Sequence, residues 1–189
     1  MKVLVISGEV SQQRPLTYGL PRDWSEKSVT TVDQELEALV QKYGDIRNIP
    51  PADTGRFLSK SAGRIARDVR DTDLSVVVAT GTGVHVAQAL IDSRDWTGPT
   101  VFVDPEGAFR RMQFALPEEC EFDFEAEDPG PETRKTAWIL RSGSTSASQL
   151  KKIRALRDSS CIVSVSESDF CSAVYTSGLL ESCIKIVTR

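Results

Sequence analysis

Leu74-Ser75-Val76-Val77-Val78-Ala79-Thr80-Gly81-Thr82-Gly83 is a β-branched apolar run that breaks on a pair of glycines and passes straight into Val84, Ala87, Leu90 and Ile91 at helical spacing. An apolar run without polar alternation predicts a strand buried on both faces, as in a parallel sheet, followed by a sharp turn and a helix. The same grammar recurs along the chain. Val3 to Ile6, ended by Ser7-Gly8, predicts an opening strand. Thr100 to Val103, Thr136 to Arg141 and Cys161 to Val165 predict three more, and Asp45 to Ile49 alternates ahead of Pro50-Pro51 as an edge-like strand.

Helical patterns fill the intervals. Thr31-Val32-Asp33-Gln34 is a capping box opening a helix with Val32, Leu36, Leu39, Val40 and Tyr43 on one face, closed by Gly44. Leu58, Ala62, Ile65, Ala66 and Val69 mark the next, and Ser146-Ala147-Ser148-Gln149 caps another that carries Leu150, Ile153 and Leu156. Phe170, Val174, Leu180, Cys183, Ile184 and Val187 predict a final helix broken near Gly178. Strands alternating with helices imply crossover connections and a sheet covered on both sides. The expected architecture is α/β: a three-layer αβα sandwich with a mostly parallel sheet of five to six strands, in one domain spanning residues 1–189.

Composition narrows the partners. The chain has 23 Lys and Arg against 27 Asp and Glu, a net charge of −4, which argues against nucleic acid and anionic lipid and for a small molecule or a protein. The apolar opening is only four residues long, too short for a secretory h-region or a membrane span, so a cytoplasmic location is expected. Four cysteines, Cys120, Cys161, Cys171 and Cys183, form no CxxC pair and are expected as buried free thiols. Between Asp104 and Glu132 the periodicity is lost and acidic residues accumulate, from Glu118 through Glu132, with Phe122 and Phe124 interleaved. This irregular acidic excursion reads as a solvated segment off the sheet, with the two phenylalanines as candidate anchors for a protein partner.

The strand, glycine turn and helix from Ser75 to Ile91 resemble the nucleophile elbow of the α/β-hydrolase superfamily, and Val101-Phe102-Val103-Asp104-Pro105 resembles its next strand. Ser7-Gly8 is similar to the family's oxyanion turn, the acidic excursion stands where the family inserts a lid, and Arg141 to Ser148 lies where its acid loop belongs. The resemblance, to compact esterase-like members, runs over nearly the whole chain. It implies a hydrolase-like fold with a short acidic insertion in place of a lid, and a site at the strands' carboxyl ends.

The resemblance stops at the chemistry. An elbow is G-x-S-x-G, whereas the register here is Ala79-Thr80-Gly81-Thr82-Gly83, which puts Gly81 where the serine belongs. The acid position falls on Ser144, Thr145 or Ser146, and Ser166 to Phe170, where the histidine is due, contains none. The one histidine is His85, on the elbow helix, expected as a surface or capping residue. With serine, acid and base all substituted, little beyond binding is left.

The expected function is therefore a non-catalytic hydrolase-like protein that binds a small ligand or a protein partner, with no cofactor and no metal. Its pocket candidates are Ser7, Gly8, Thr80, Gly81, Thr82, Gly83, Ser144, Ser146 and Asp169. One alternative is an active esterase with a displaced nucleophile, for which His85 with Thr80, Thr82 or Cys171, or the serines of 142–146, are raw material. A second is a Rossmann-like protein that holds a nucleotide or phosphate on the Thr80 to Gly83 turn, although Gly81-x-Gly83-x-x reaches Val86 instead of a third glycine. Asp104, Glu106 and Asp169 are candidates for the carboxyl-end crevice, with helix capping as their plainer role.

Overall fold

The apolar runs become strands where parallel pairing satisfies their backbone and burial on both faces uses their side chains. The protein is seen in a computed structural model that describes residues 1–7, 20–29, 32–44, 48–70, 73–81, 83–104, 136–141, 160–166 and 168–189. Among these, β1 (Lys2–Ser7), β2 (Ser25–Val29), β3 (Val76–Thr80), β4 (Thr100–Val103), β5 (Thr136–Arg141) and β6 (Ser160–Val165) form one sheet. Its order is β2-β1-β3-β4-β5-β6, and every adjacent pair is parallel. Val76 to Ala79 of β3 are wholly buried, as expected of a central parallel strand.

Alternate side chains feed two cores, because the strand period is two. Leu4, Ile6, Val77, Ala79, Phe102, Trp138 and Leu140 face one side, where they meet α1 (Val32–Tyr43), α2 (Pro51–Arg70) and α3 (Gly83–Asp92). On that side the Phe102 and Trp138 rings pack at 4.3 Å between centroids, tilted by 30°. Val3, Val5, Val76, Val78, Val101, Val103, Ala137 and Ile139 face the other, against α4 (Phe170–Tyr175) and α5 (Leu179–Val187). The break expected near Gly178 lies between α4 and α5. No described helix is long and apolar enough to cross a membrane.

Two expectations are corrected. The edge strand beside β1 is Ser25–Val29, and of the expected strand over 45–49 only Asn48 and Ile49 are among the described residues, neither of them in a strand. Asn48 and Ile49 instead precede α2, with Ile49 buried in the α1–α3 core. The sequence Ser-Glu-Lys-Ser-Val has one apolar residue and so carries no period; it is a strand because β1 presents a free edge, which it meets in register from Lys2↔Ser25 to Ile6↔Val29. Likewise the cysteines are not uniformly buried: Cys183 is, but Cys171 on α4 is exposed. The side chain of Cys161, all of Cys120, the second capping box with its helix and the acidic excursion lie outside the described residues.

Helices α1 and α2 are tied at their rim by Asp53, which accepts a hydrogen bond from the Tyr43 hydroxyl and faces Lys42 at 3.7 Å and Arg56 at 3.5 Å. The Tyr43 hydrogen bond, with the two cations behind it, holds the Asp53 carboxyl below its ordinary 3.8. A lowered folded-state value means stabilisation that is present above 3.8 and fades as pH falls through the folded value. Asp53→Asn is expected to melt below wild type at pH 7. Melting curves recorded at successively lower pH should show the gap closing below 3.8; a gap unchanged in acid would contradict the assignment.

Candidate functional site

The strand order reverses at β1: the chain leaves β1 for β2 on one side and later places β3 on the other. In open α/β sheets the crevice at such a switch point, outside the strands' carboxyl ends, is where ligands enter. Ser7 ends β1 and Thr80 ends β3, and the two are register partners. Gly81 follows Thr80 and Gly83 opens α3. Four of the residues singled out from the sequence, Ser7, Thr80, Gly81 and Gly83, therefore converge on one edge.

The turn between β3 and α3 needs both glycines, for different reasons. Gly81 is buried and has φ 58°, the left-handed region that a side chain disfavours. Its carbonyl accepts from the Val84 amide at 3.2 Å and starts the first helical turn. Gly83 has no such backbone demand, but a Cβ there would stand 2.2 Å from the Ile6 carbonyl oxygen and 2.8 Å from its carbon. Helix α3 thus begins in contact with the backbone of β1, a helix–strand approach that only glycine permits.

Strand β4 supplies the next group along the edge. Val103 pairs with Thr80, so Asp104 leaves β4 at the level at which Gly81 leaves β3. Asp104 is 6% exposed and has φ 49°. Its amide still donates to the Ile139 carbonyl at 2.9 Å, which anchors the bend to β5. Its Oδ2 accepts from Arg141 Nη2 at 2.7 Å, and the Arg141 guanidinium lies 4.5 Å from the centre of the Phe170 ring. Asp104 is therefore half of an ion pair; the residues after it, on which a capping role would depend, lie outside the described ones. Arg141 and Phe170 were not among the sequence candidates; the one legible signal was a cation closing the apolar run Thr-Ala-Trp-Ile-Leu.

Other candidates are placed elsewhere. Asp169 is exposed at the start of α4, where its carboxylate makes no cap and instead accepts from Ser166 Oγ at 2.5 Å. It follows β6, three strands from β3, roughly 14 Å away at the usual strand spacing. His85 is 4% exposed on α3, so the expected surface placement is overturned. It lies on a helix covered on most sides, where Gly83 through Ala87 are all buried. Gly8, Thr82, Glu106, Phe122, Phe124, Ser144 and Ser146 lie outside the described residues. Among the described residues no three His, Cys, Asp or Glu side chains cluster as metal ligands would.

No protein-family model, no curated protein and no solved structure matches this chain.

The two glycines should respond differently to a single methyl. Gly83→Ala must push α3 off β1 and is expected to cost roughly 3 kcal/mol, the upper part of the range for overpacking. Gly81→Ala is assigned the cost of the left-handed backbone, about 1–2 kcal/mol. Urea unfolding of both variants measures the difference, and equal losses would remove the case for a close approach at Gly83.

Proposed function

We propose that the protein is a non-catalytic binding protein of α/β-hydrolase-like build, which holds a small ligand or a partner's side chain at the carboxyl edge of β1, β3 and β4. The observation that carries this reading is Gly81. It stands at the apex of the β3–α3 turn with φ 58°, the strained strand-to-helix position at which such an elbow presents its nucleophile, and it has no side chain to present.

The surroundings support the same reading. Thr80, beside the apex, is 8% exposed and lies in register between Ser7 and Val103. Hydroxyls of this kind become nucleophiles when a general base takes their proton. The chain has one histidine, and it is buried on α3 four residues beyond the apex. Asp104, the buried carboxylate at this edge, is paired with Arg141. Among the described residues of this edge, hydroxyls and a paired carboxylate support binding, and none is placed beside a general base.

A second reading, a phosphate or nucleotide site on the Thr80 to Gly83 turn, is favoured by one observation. The ten-residue helix α3 opens at the switch point with its N-terminal amides and positive dipole end toward the crevice. Titration with inorganic pyrophosphate, followed by calorimetry, separates it from a site for uncharged ligands.

Incubation with a fluorophosphonate probe followed by intact-protein mass spectrometry tests the absence of catalysis. Neither the wild type nor Gly81→Ser is expected to gain the mass of the adduct, because a serine placed at the apex has no general base beside it among the described residues. A stoichiometric adduct on the wild type would overturn the reading, and peptide mapping would name the nucleophile.

A further inference from the structure

Asp104 combines two features that ordinary packing does not explain. Its Oδ1 is fully buried and has no hydrogen-bond partner among the described residues, although Oδ2 is held by Arg141 at 2.7 Å. A buried carboxylate oxygen left without a donor is costly, and such groups in folded proteins are uncommon. The same residue has φ 49°, one of two non-glycine residues with a positive φ among those described. Backbone of this kind is retained where surrounding contacts enforce it, and it gathers at ligand sites. The unmet acceptor and the enforced bend coincide on one residue.

Its place is equally specific. Asp104 emerges beside Gly81 at the carboxyl edge, one strand spacing away, about 5 Å. The guanidinium that pairs with Oδ2 is braced against the Phe170 ring, itself 3% exposed, so the carboxylate is held in one orientation with its second oxygen uncommitted.

We infer that Asp104 Oδ1 accepts a hydrogen bond from a hydroxyl of the bound ligand, and that the crevice takes a neutral polyhydroxyl molecule of the sugar type. The inference rests on the reading of this edge as a binding site. The charge of the pair decides the class. Asp104 and Arg141 together are neutral, so a hydroxyl satisfies Oδ1 without bringing a new charge into a buried place. An ammonium would leave a buried net positive charge next to Arg141. A carboxylate at this oxygen has no proton to give, and a phosphate brings further negative charge beside Asp104, so both are disfavoured. A phosphate group, if the ligand carries one, belongs at the α3 end of the crevice and not at Asp104.

The test uses the full chain and a fixed panel of ribose, glucose, N-acetylglucosamine, myo-inositol and adenosine, with binding read by ligand-observed NMR and calorimetry. At least one is expected to bind. Its affinity should fall about tenfold or more in Asp104→Gly, as expected for loss of a hydrogen bond to a charged acceptor. Glycine suits the left-handed backbone, so this variant keeps the bend; the double variant Asp104→Ala with Arg141→Leu removes both charges together and guards against an unpaired arginine. Replacing each hydroxyl of the bound polyol by hydrogen should locate one whose loss weakens binding to the wild type but not to Asp104→Gly. The hydroxyl assignment falls if no polyol binds, or if one binds wild type and Asp104→Gly alike, as it would were Oδ1 satisfied by a water alone. Pyrophosphate distinguishes the two failures: if it binds while every polyol fails, the binding site stands without the hydroxyl contact, and if it fails too, both fall.

Discussion

The contact between Gly83 and the Ile6 carbonyl governs the arrangement around it. Helix α3 follows β3 directly, yet its first residue touches β1, so the helix crosses from one strand to the other at the point where the order reverses. That contact pulls α3 over the sheet, seating Val84, Val86, Ala87 and Leu90 in the core with Leu4, Ile6 and Phe102. The chain passes from the end of β3 at Thr80 to the start of α3 at Gly83 across two residues, and Gly81 takes left-handed backbone in that turn. The close approach at Gly83 is therefore a packing requirement of this sheet edge. A glycine turn here is not in itself a sign of chemistry; what matters is which side chains the same packing brings to its rim.

Much of the fold was legible because parallel sheets are written in a simple code. Strands β1, β3, β4 and β5 are buried on both faces, so each is an apolar run of strand length. Helices α1 and α2 show their buried stripes at helical spacing, and Gly178 marks the break before α5. Strand β2 was hidden for the complementary reason. An edge strand is specified by the backbone groups of its neighbour and needs no apolar pattern of its own, and Ser-Glu-Lys-Ser-Val has none.

The site was legible only in part. Ser7, Thr80, Gly81 and Gly83 announce themselves because they interrupt apolar runs at strand ends, where parallel sheets put their crevices. The pair between Asp104 and Arg141 joins residues 37 apart in sequence. Nothing local to either residue specifies the partner; it follows from β4 and β5 being neighbours, and that is a property of the sheet. His85 misled for a similar reason. Its helix is apolar on more than one face, so a polar residue within it is buried by neighbours that periodicity assigns to a single stripe.

The same ion pair argues on both sides of the functional question. A carboxylate serves a catalytic base by holding it in orientation and answering the charge it gains, and for that it must be free to face a histidine. Asp104 instead faces an arginine that is braced by an aromatic ring, so one oxygen is committed and the charge is already answered. What remains is a single rigid acceptor in a place with almost no solvent. Such a group is poorly suited to moving protons and well suited to recognising a donor of fixed position, since a ligand that fails to supply the donor must bury the oxygen unpaired. A glycine at the apex and a strained, charge-compensated carboxylate one strand away thus fit the one proposal made for this edge, in which selectivity comes from an acceptor of fixed position and not from a reactive side chain.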